Sequence, residues 1–185
     1  MKNLKDSKKT KKTNKINKGK TKEKISDSEN LYKKGKQYYN EKQYKKAIEF
    51  LSKAAKLGNV YAQLMLGGMY YIGEGTEQDY IKAFEYISKA AKQKNTNAEY
   101  ILGTMYYVGR GLDKNHNKAF EFYLKAAEKG NIFAQNMLGI MYYKGQGTEK
   151  NTGKAFYWLS QSAKNGNIFA AIYLNKYKKE ENKIG

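Results

Sequence analysis

The chain has no cysteine and no proline, and among its 185 residues only one arginine (Arg110), one histidine (His116) and one tryptophan. Without cysteine there is neither a disulfide framework nor a thiolate metal site. A lone histidine has no second imidazole to complete a metal-binding pair, and its place in a polar loop predicts an exposed side chain. No run approaches the roughly 18 apolar residues that span a membrane. The N-terminus carries positive charge with no apolar segment after it, so it does not read as a secretory signal, and cytoplasmic residence is expected. Ser52, Ser88, Ser160 and Ser162 lie in neither a Ser-x-x-Lys nor a Gly-x-Ser-x-Gly setting. The glycine pairs lack the Gly-Lys-Ser/Thr ending of a phosphate loop. These absences predict a non-catalytic protein with no cofactor and no metal.

What is abundant is lysine, and it is unevenly placed. Residues 1–25 contain eleven lysines against Asp6 and Glu23, with few sizeable apolar side chains. Such a segment cannot bury enough surface to offset the entropy of ordering, so a disordered tail is expected over 1–25. It contributes about half of the formal net charge of +19. A lysine tail suits phosphate neutralisation on nucleic acid, or contact with another polyanion or an anionic membrane, and this is the alternative function. The near absence of arginine, the better bidentate phosphate ligand, argues against it. Lysine, asparagine, tyrosine and isoleucine in such excess also match what an AT-rich coding genome would produce.

Beyond the tail a thirty-six-residue block recurs three times without insertion, over 62–97, 98–133 and 134–169. Leu66-Gly67, Leu102-Gly103 and Leu138-Gly139 keep register, as do Met69-Tyr70-Tyr71, Met105-Tyr106-Tyr107 and Met141-Tyr142-Tyr143. A glycine pair and then Lys-Ala-Phe follow in each copy. A period of this length is the signature of a solenoid, in which each unit buries its apolar face against its neighbours. Each block reads as two helices: Ala98, Leu102, Met105 and Tyr106 form one stripe, and Tyr80, Ala83, Phe84, Ile87, Ala90 and Ala91 another. Asn59, Asn95, Asn131 and Asn167 stand where first helices begin, and Asp79, Asn115 and Asn151 where second helices begin. Gly58, Gly130 and Gly166 stand where helices should stop. Burial of each large apolar side chain contributes roughly 1.5–3 kcal/mol, enough core for three units with covered ends.

The ends differ. Residues 26–59 predict a helical hairpin with a turn around Asn40–Gln43 and the spacing of an ordinary tetratricopeptide repeat. The array proper is expected over 60–177, ending in a capping helix, with a polar tail over 178–185. Inside the array the junction Lys94-Asn95-Thr96-Asn97 lacks the glycine and the apolar pair of the other junctions, which predicts looser packing there.

The run Ala-x-x-x-Leu-Gly-x-Met-Tyr-x-x-Gly-x-Gly, then Lys-Ala-Phe, Ala-Ala and Gly-Asn-x-x-Ala, resembles the Sel-one-like repeat of the tetratricopeptide-like superfamily over about 60–172. The resemblance implies an all-α, right-handed superhelical solenoid of helix-turn-helix repeats. It also implies a scaffold or adaptor that assembles other proteins, and the missing cysteines set this chain apart from the family's cysteine-rich secreted branch. By analogy with tetratricopeptide solenoids, first helices line the binding surface. The candidates are then Tyr61, Asn97 and Phe133, next Met65, Ile101 and Met137, and last Tyr71, Tyr107 and Tyr143. A tyrosine ladder flanked by methionines suits a peptide or partner helix. The same stripe also fits a core, and both readings stand at this point. The lysine, asparagine and arginine clamp by which some relatives hold a C-terminal carboxylate is not visible at these positions.

Overall fold

Asparagine side chains set where the helices start. In the computed structural model, which describes residues 24–182, Asn59, Asn95 and Asn131 each accept the backbone N–H three residues on, at 2.8–3.0 Å. Asp79, Asn115 and Asn151 do the same for the second helices, each at 2.9 Å. These bonds satisfy donors that a helix leaves unpaired in its first turn. The chain divides into two compact units between Gln78 and Asp79.

The first unit holds α1 (24–40), α2 (Tyr44–Lys56) and α3 (Val60–Ile72). The second holds α4 (Tyr80–Lys92), α5 (Thr96–Val108), α6 (His116–Glu128), α7 (Ile132–Lys144), α8 (Thr152–Lys164) and α9 (Ile168–Glu181). Among the described residues there is no strand, and the all-α helix-pair repeat expected from the sequence is what the chain adopts.

First helices end on Gly73, Gly109 and Gly145, each with positive φ. Second helices turn at Gly58, Gly130 and Gly166, also with positive φ; at the equivalent place Lys94 adopts φ 61° without the freedom of glycine. The deviant junction therefore keeps the turn of its neighbours, and Lys94 N–H still reaches the Ala91 carbonyl at 2.8 Å.

The core of the second unit is built from small residues on facing helices. Ala119, Tyr123, Ala126, Ala127, Ala134, Leu138 and Met141 form one buried cluster, with Tyr100, Phe120, Leu124 and Trp158 packed around it. Gly103 lets α5 approach α6, because a Cβ there would lie 2.8 Å from the Tyr123 ring. A second cluster joins Leu159, Ala170 and Tyr177. In the first unit Ala47, Leu51, Ala62, Leu66 and Met69 are buried.

Three expectations need correction. Residues 24 and 25 are helical and not part of a tail; residues 1–23, with the expectation of disorder, lie outside the described residues. The last helix does not stop at Tyr177 but runs to Glu181. Its charged end is held by Tyr143, whose hydroxyl donates to Glu180, and by Lys150 near Glu181. His116 is the first residue of α6, half-buried and edge-on to the Tyr107 ring at 4.9 Å, because the helix starts one residue after the Asn115 cap.

Candidate partner-binding surface

The expected site residues divide between the two units. In the first, Tyr61 is 54% exposed at the start of α3, with its ring 5.8 Å from that of Tyr32. Met65 and Tyr71 follow on the same helix and are half-buried.

In the second unit Asn97, Ile101 and Phe133 come together. They line a shallow hollow of about 620 Å³ with Thr96, Tyr100, Lys129, Gly130, Asn131 and Ile132. The N-terminal turns of α5 and α7 form its walls, and the turn before α7 forms its end. Phe133 is 52% exposed, and its ring lies 5.9 Å from Tyr100, which also approaches the buried Tyr123. Asn97 accepts a long bond from the Asn131 side-chain amide at 3.4 Å. The surface is thus an aromatic wall beside an amide pair.

Tyr107, Met137 and Tyr143 sit differently. Met137 and Tyr107 pack against the Ala119–Met141 cluster. The Tyr107 hydroxyl donates to Gln146 at 3.0 Å, in the loop of the following repeat. Tyr143 donates to Glu180 at 2.9 Å and stacks on Tyr177. In the first unit Tyr39 makes the equivalent bond to Glu74 at 2.6 Å. These hydroxyls tie one repeat to the next, as a half-buried tyrosine requires a partner for its polar tip. Burial pushes the Tyr107 hydroxyl pKa up, and burial with the Glu180 carboxylate pushes that of Tyr143 up to about 12.

Tyr100 was not among the expected residues. Its register position holds Leu64 and Asn136 in the flanking copies, so comparison of repeats did not single it out; its helical spacing from Asn97, at i+3, is the signal that places it on the same wall. Glu99 and Lys129 were also missed. Glu99 is only 4% exposed and stands where the flanking copies have Gln63 and Gln135. Those glutamines donate to the Ala55 and Ala127 carbonyls at 3.2 and 3.3 Å. A carboxylate cannot donate, and instead accepts the Lys129 ammonium on both oxygens at 2.6 and 2.7 Å. The same ammonium donates to the Lys94 carbonyl at 3.2 Å.

Among the described residues no group of three or more histidine, aspartate or glutamate side chains is placed to hold a metal, and no helix is long and apolar enough to cross a membrane. With this geometry in view, the family comparison decides the affiliation. A model described as the Sel1 repeat matches four times, over 30–59, 60–95, 96–131 and 132–167. The chain belongs to the Sel1 repeat family. Its first hairpin is matched by the same model, so 30–59 is a Sel1 repeat and not only a tetratricopeptide-like one.

Solved Sel1-type structures agree. A Sel1 repeat protein from Oxalobacter formigenes is 31% identical with a TM-score of 0.74, the match covering 79% of this chain and 60% of that one. The protective antigen c5321 of uropathogenic Escherichia coli strains is 34% identical with a TM-score of 0.67, over 70% of this chain and 28% of that one. Cysteine-rich protein B of Helicobacter pylori is 29% identical with a TM-score of 0.55, over 70% and 93%. This chain therefore spans less than two thirds of the first two structures. No curated protein matches it. Sel1 repeat proteins generally act as protein-interaction scaffolds.

Proposed function

We propose that this chain is a non-catalytic interaction module that binds a peptide or partner helix on the first-helix surface of its repeats. The observation that carries the reading is the exposed Phe133 beside Tyr100, Ile101 and Asn97 in one open hollow. A large aromatic left half in water at a concave place is a contact awaiting a partner, since aromatic anchors dominate interface energetics. The neighbouring asparagines supply hydrogen bonds that fix orientation. Tyr61, Met65 and Tyr71 offer a comparable row on α3. Tyr107, Met137 and Tyr143 contribute mainly by holding the repeats of the second unit in register around Phe133.

The test is site-specific photocrosslinking in native lysate. A photoreactive residue replaces Phe133 in one full-length protein and the exposed Glu121 in another. A discrete protein captured at 133 and not at 121, unaffected by nuclease and high salt, supports the reading. Equal capture at both positions, or capture that disappears with nuclease, sinks it in favour of a polyanion-binding role for the lysine-rich N-terminal segment.

A further inference from the structure

A second concavity lies between α4, α5 and α6, apart from the first-helix hollow. Phe84, Ala91, Leu102, Tyr106 and Phe122 form its apolar floor, Ser88 leaves room above them, and the volume is about 730 Å³. Lys92 and Lys94 stand on one wall and Lys125 and Lys129 on the other, against the single carboxylate of Glu99. That carboxylate is already neutralised, because Lys129 grips both of its oxygens. Among the described residues Lys92, Lys94 and Lys125 have no carboxylate partner.

The repeat provides an internal control. One register step on, Ser88 becomes Leu124 and Phe122 becomes Trp158, and these larger side chains pack against the Ala119–Met141 cluster. Lys92, Lys94, Lys125 and Lys129 become Glu128, Gly130, Gln161 and Asn165. One register step back, Ser52, Lys56 and Lys89 recur, but Gly58 and Gln93 replace the other two lysines. The same backbone thus carries bulkier side chains, one carboxylate and none of the four lysines in the following copy, and is hollow with four lysines in the middle one.

We propose that this pocket binds an acidic peptide segment of a partner protein, with an aromatic side chain seated on the Phe84–Tyr106–Phe122 floor and flanking carboxylates on the two lysine walls. Charge on both sides of the apolar floor selects a ligand with carboxylates on both sides of its apolar group. A peptide has that pattern; an amphiphile with one terminal headgroup does not. The lysines attract and orient, while the buried ring sets the residence time. The inference does not rest on the first-helix reading, since the floor belongs to other helix faces and only Lys129 lines both concavities.

The probe is acetyl-Glu-Asp-Phe-Asp-Glu-amide, titrated into the full-length protein by calorimetry, with the aromatic ring resonances of Phe122 and Tyr106 followed by NMR. The controls are the same peptide with Ala for Phe, and with Gln and Asn for the acids. Two protein variants carry residues of the following repeat: S88L, which fills the pocket, and K92E/K125Q, which alters only surface charge. S88L and the Ala peptide are expected to weaken binding by roughly tenfold or more, the worth of one buried ring. K92E/K125Q is expected to weaken it several-fold and to flatten its salt dependence. Ring resonances that do not move, or affinity unchanged in folded S88L and in K92E/K125Q, would overturn the proposal by placing the peptide elsewhere on the basic chain. Equal binding of the Gln/Asn peptide also overturns it. So does an oligonucleotide or an anionic vesicle that binds in an S88L-sensitive way when the peptide does not.

Discussion

Tyr143 and Tyr177 lie face to face, their ring centroids 3.6 Å apart and their planes within 7° of parallel. One ring ends α7 and the other sits near the end of α9, so the stack fastens the last helix to the repeat before it. Burial first, and then neighbouring tyrosine and glutamate groups, push the Tyr177 hydroxyl pKa up to about 12, as for Tyr143.

Alkaline pH should therefore loosen this end. An unfolded tyrosine loses its proton near pH 10, about two units before these two. The native state keeps the protons longer, so its stabilisation is complete below pH 10 and falls as pH rises toward 12. Y143F has no proton to lose there and should show a smaller decline over that interval. Helical circular dichroism against pH, with tyrosinate absorption read in parallel, compares the two proteins; identical declines would refute the assignment.

Protonation acts at the other extreme on His116. Burial, and then Lys114, hold its pKa below the usual value, and its Nδ1 is buried without a hydrogen-bond partner. A depressed histidine pKa means stability that is present above about pH 6.5 and lost as pH falls below it. H116T, which carries the residue of the following repeat, should soften that acid-side loss. Thermal melts between pH 7 and pH 5 would reveal it, and a wild-type slope no steeper than that of H116T would count against it.

Gly103 faces Tyr123 so closely that a methyl group has no room. G103A should destabilise the protein by about 1–3 kcal/mol through overpacking, despite the better helix propensity of alanine. Urea unfolding measures this, and a neutral or stabilising result would mean that α5 and α6 can separate freely.

The Glu99–Lys129 pair should behave as a coupled unit. K129A leaves a nearly buried carboxylate without its partner and should cost about 1–3 kcal/mol, discounted from a fully buried pair because Lys129 is 38% exposed. E99Q can donate to the Ala91 carbonyl, as Gln63 and Gln135 do to theirs, so E99Q/K129A should recover most of that loss. A double-mutant cycle from chemical denaturation decides it; additive losses would show that the two side chains act separately.

The caps and stops were legible because they are local. Asn95 and Ala98, or Gly109 and Met105, lie within one helical turn, where spacing alone dictates the partner. The destinations of the tyrosine hydroxyls were not, because Tyr107 and Gln146 are 39 residues apart and their meeting depends on how repeats stack. The pair of Glu99 and Lys129, 30 residues apart, was hidden for the same reason. The charged run after Tyr177 reads as a tail on composition, and becomes helix because Tyr143 offers Glu180 a partner. Asn97, Ile101 and Phe133, proposed from their register, share one hollow, whereas Tyr100 on the same wall was passed over because its neighbours in register differ.

Lys94 carries a further consequence. It holds a left-handed backbone conformation in which an L side chain costs roughly 1–2 kcal/mol relative to glycine, while its amine adds to one wall of the α4–α6 pocket. Glycine there would relax the turn and remove a positive charge in the same step. Thermal tolerance and affinity for an anion thus pull this position in opposite directions, and selection of variants for heat resistance alone should favour glycine at 94 while eroding the pocket's hold on its ligand.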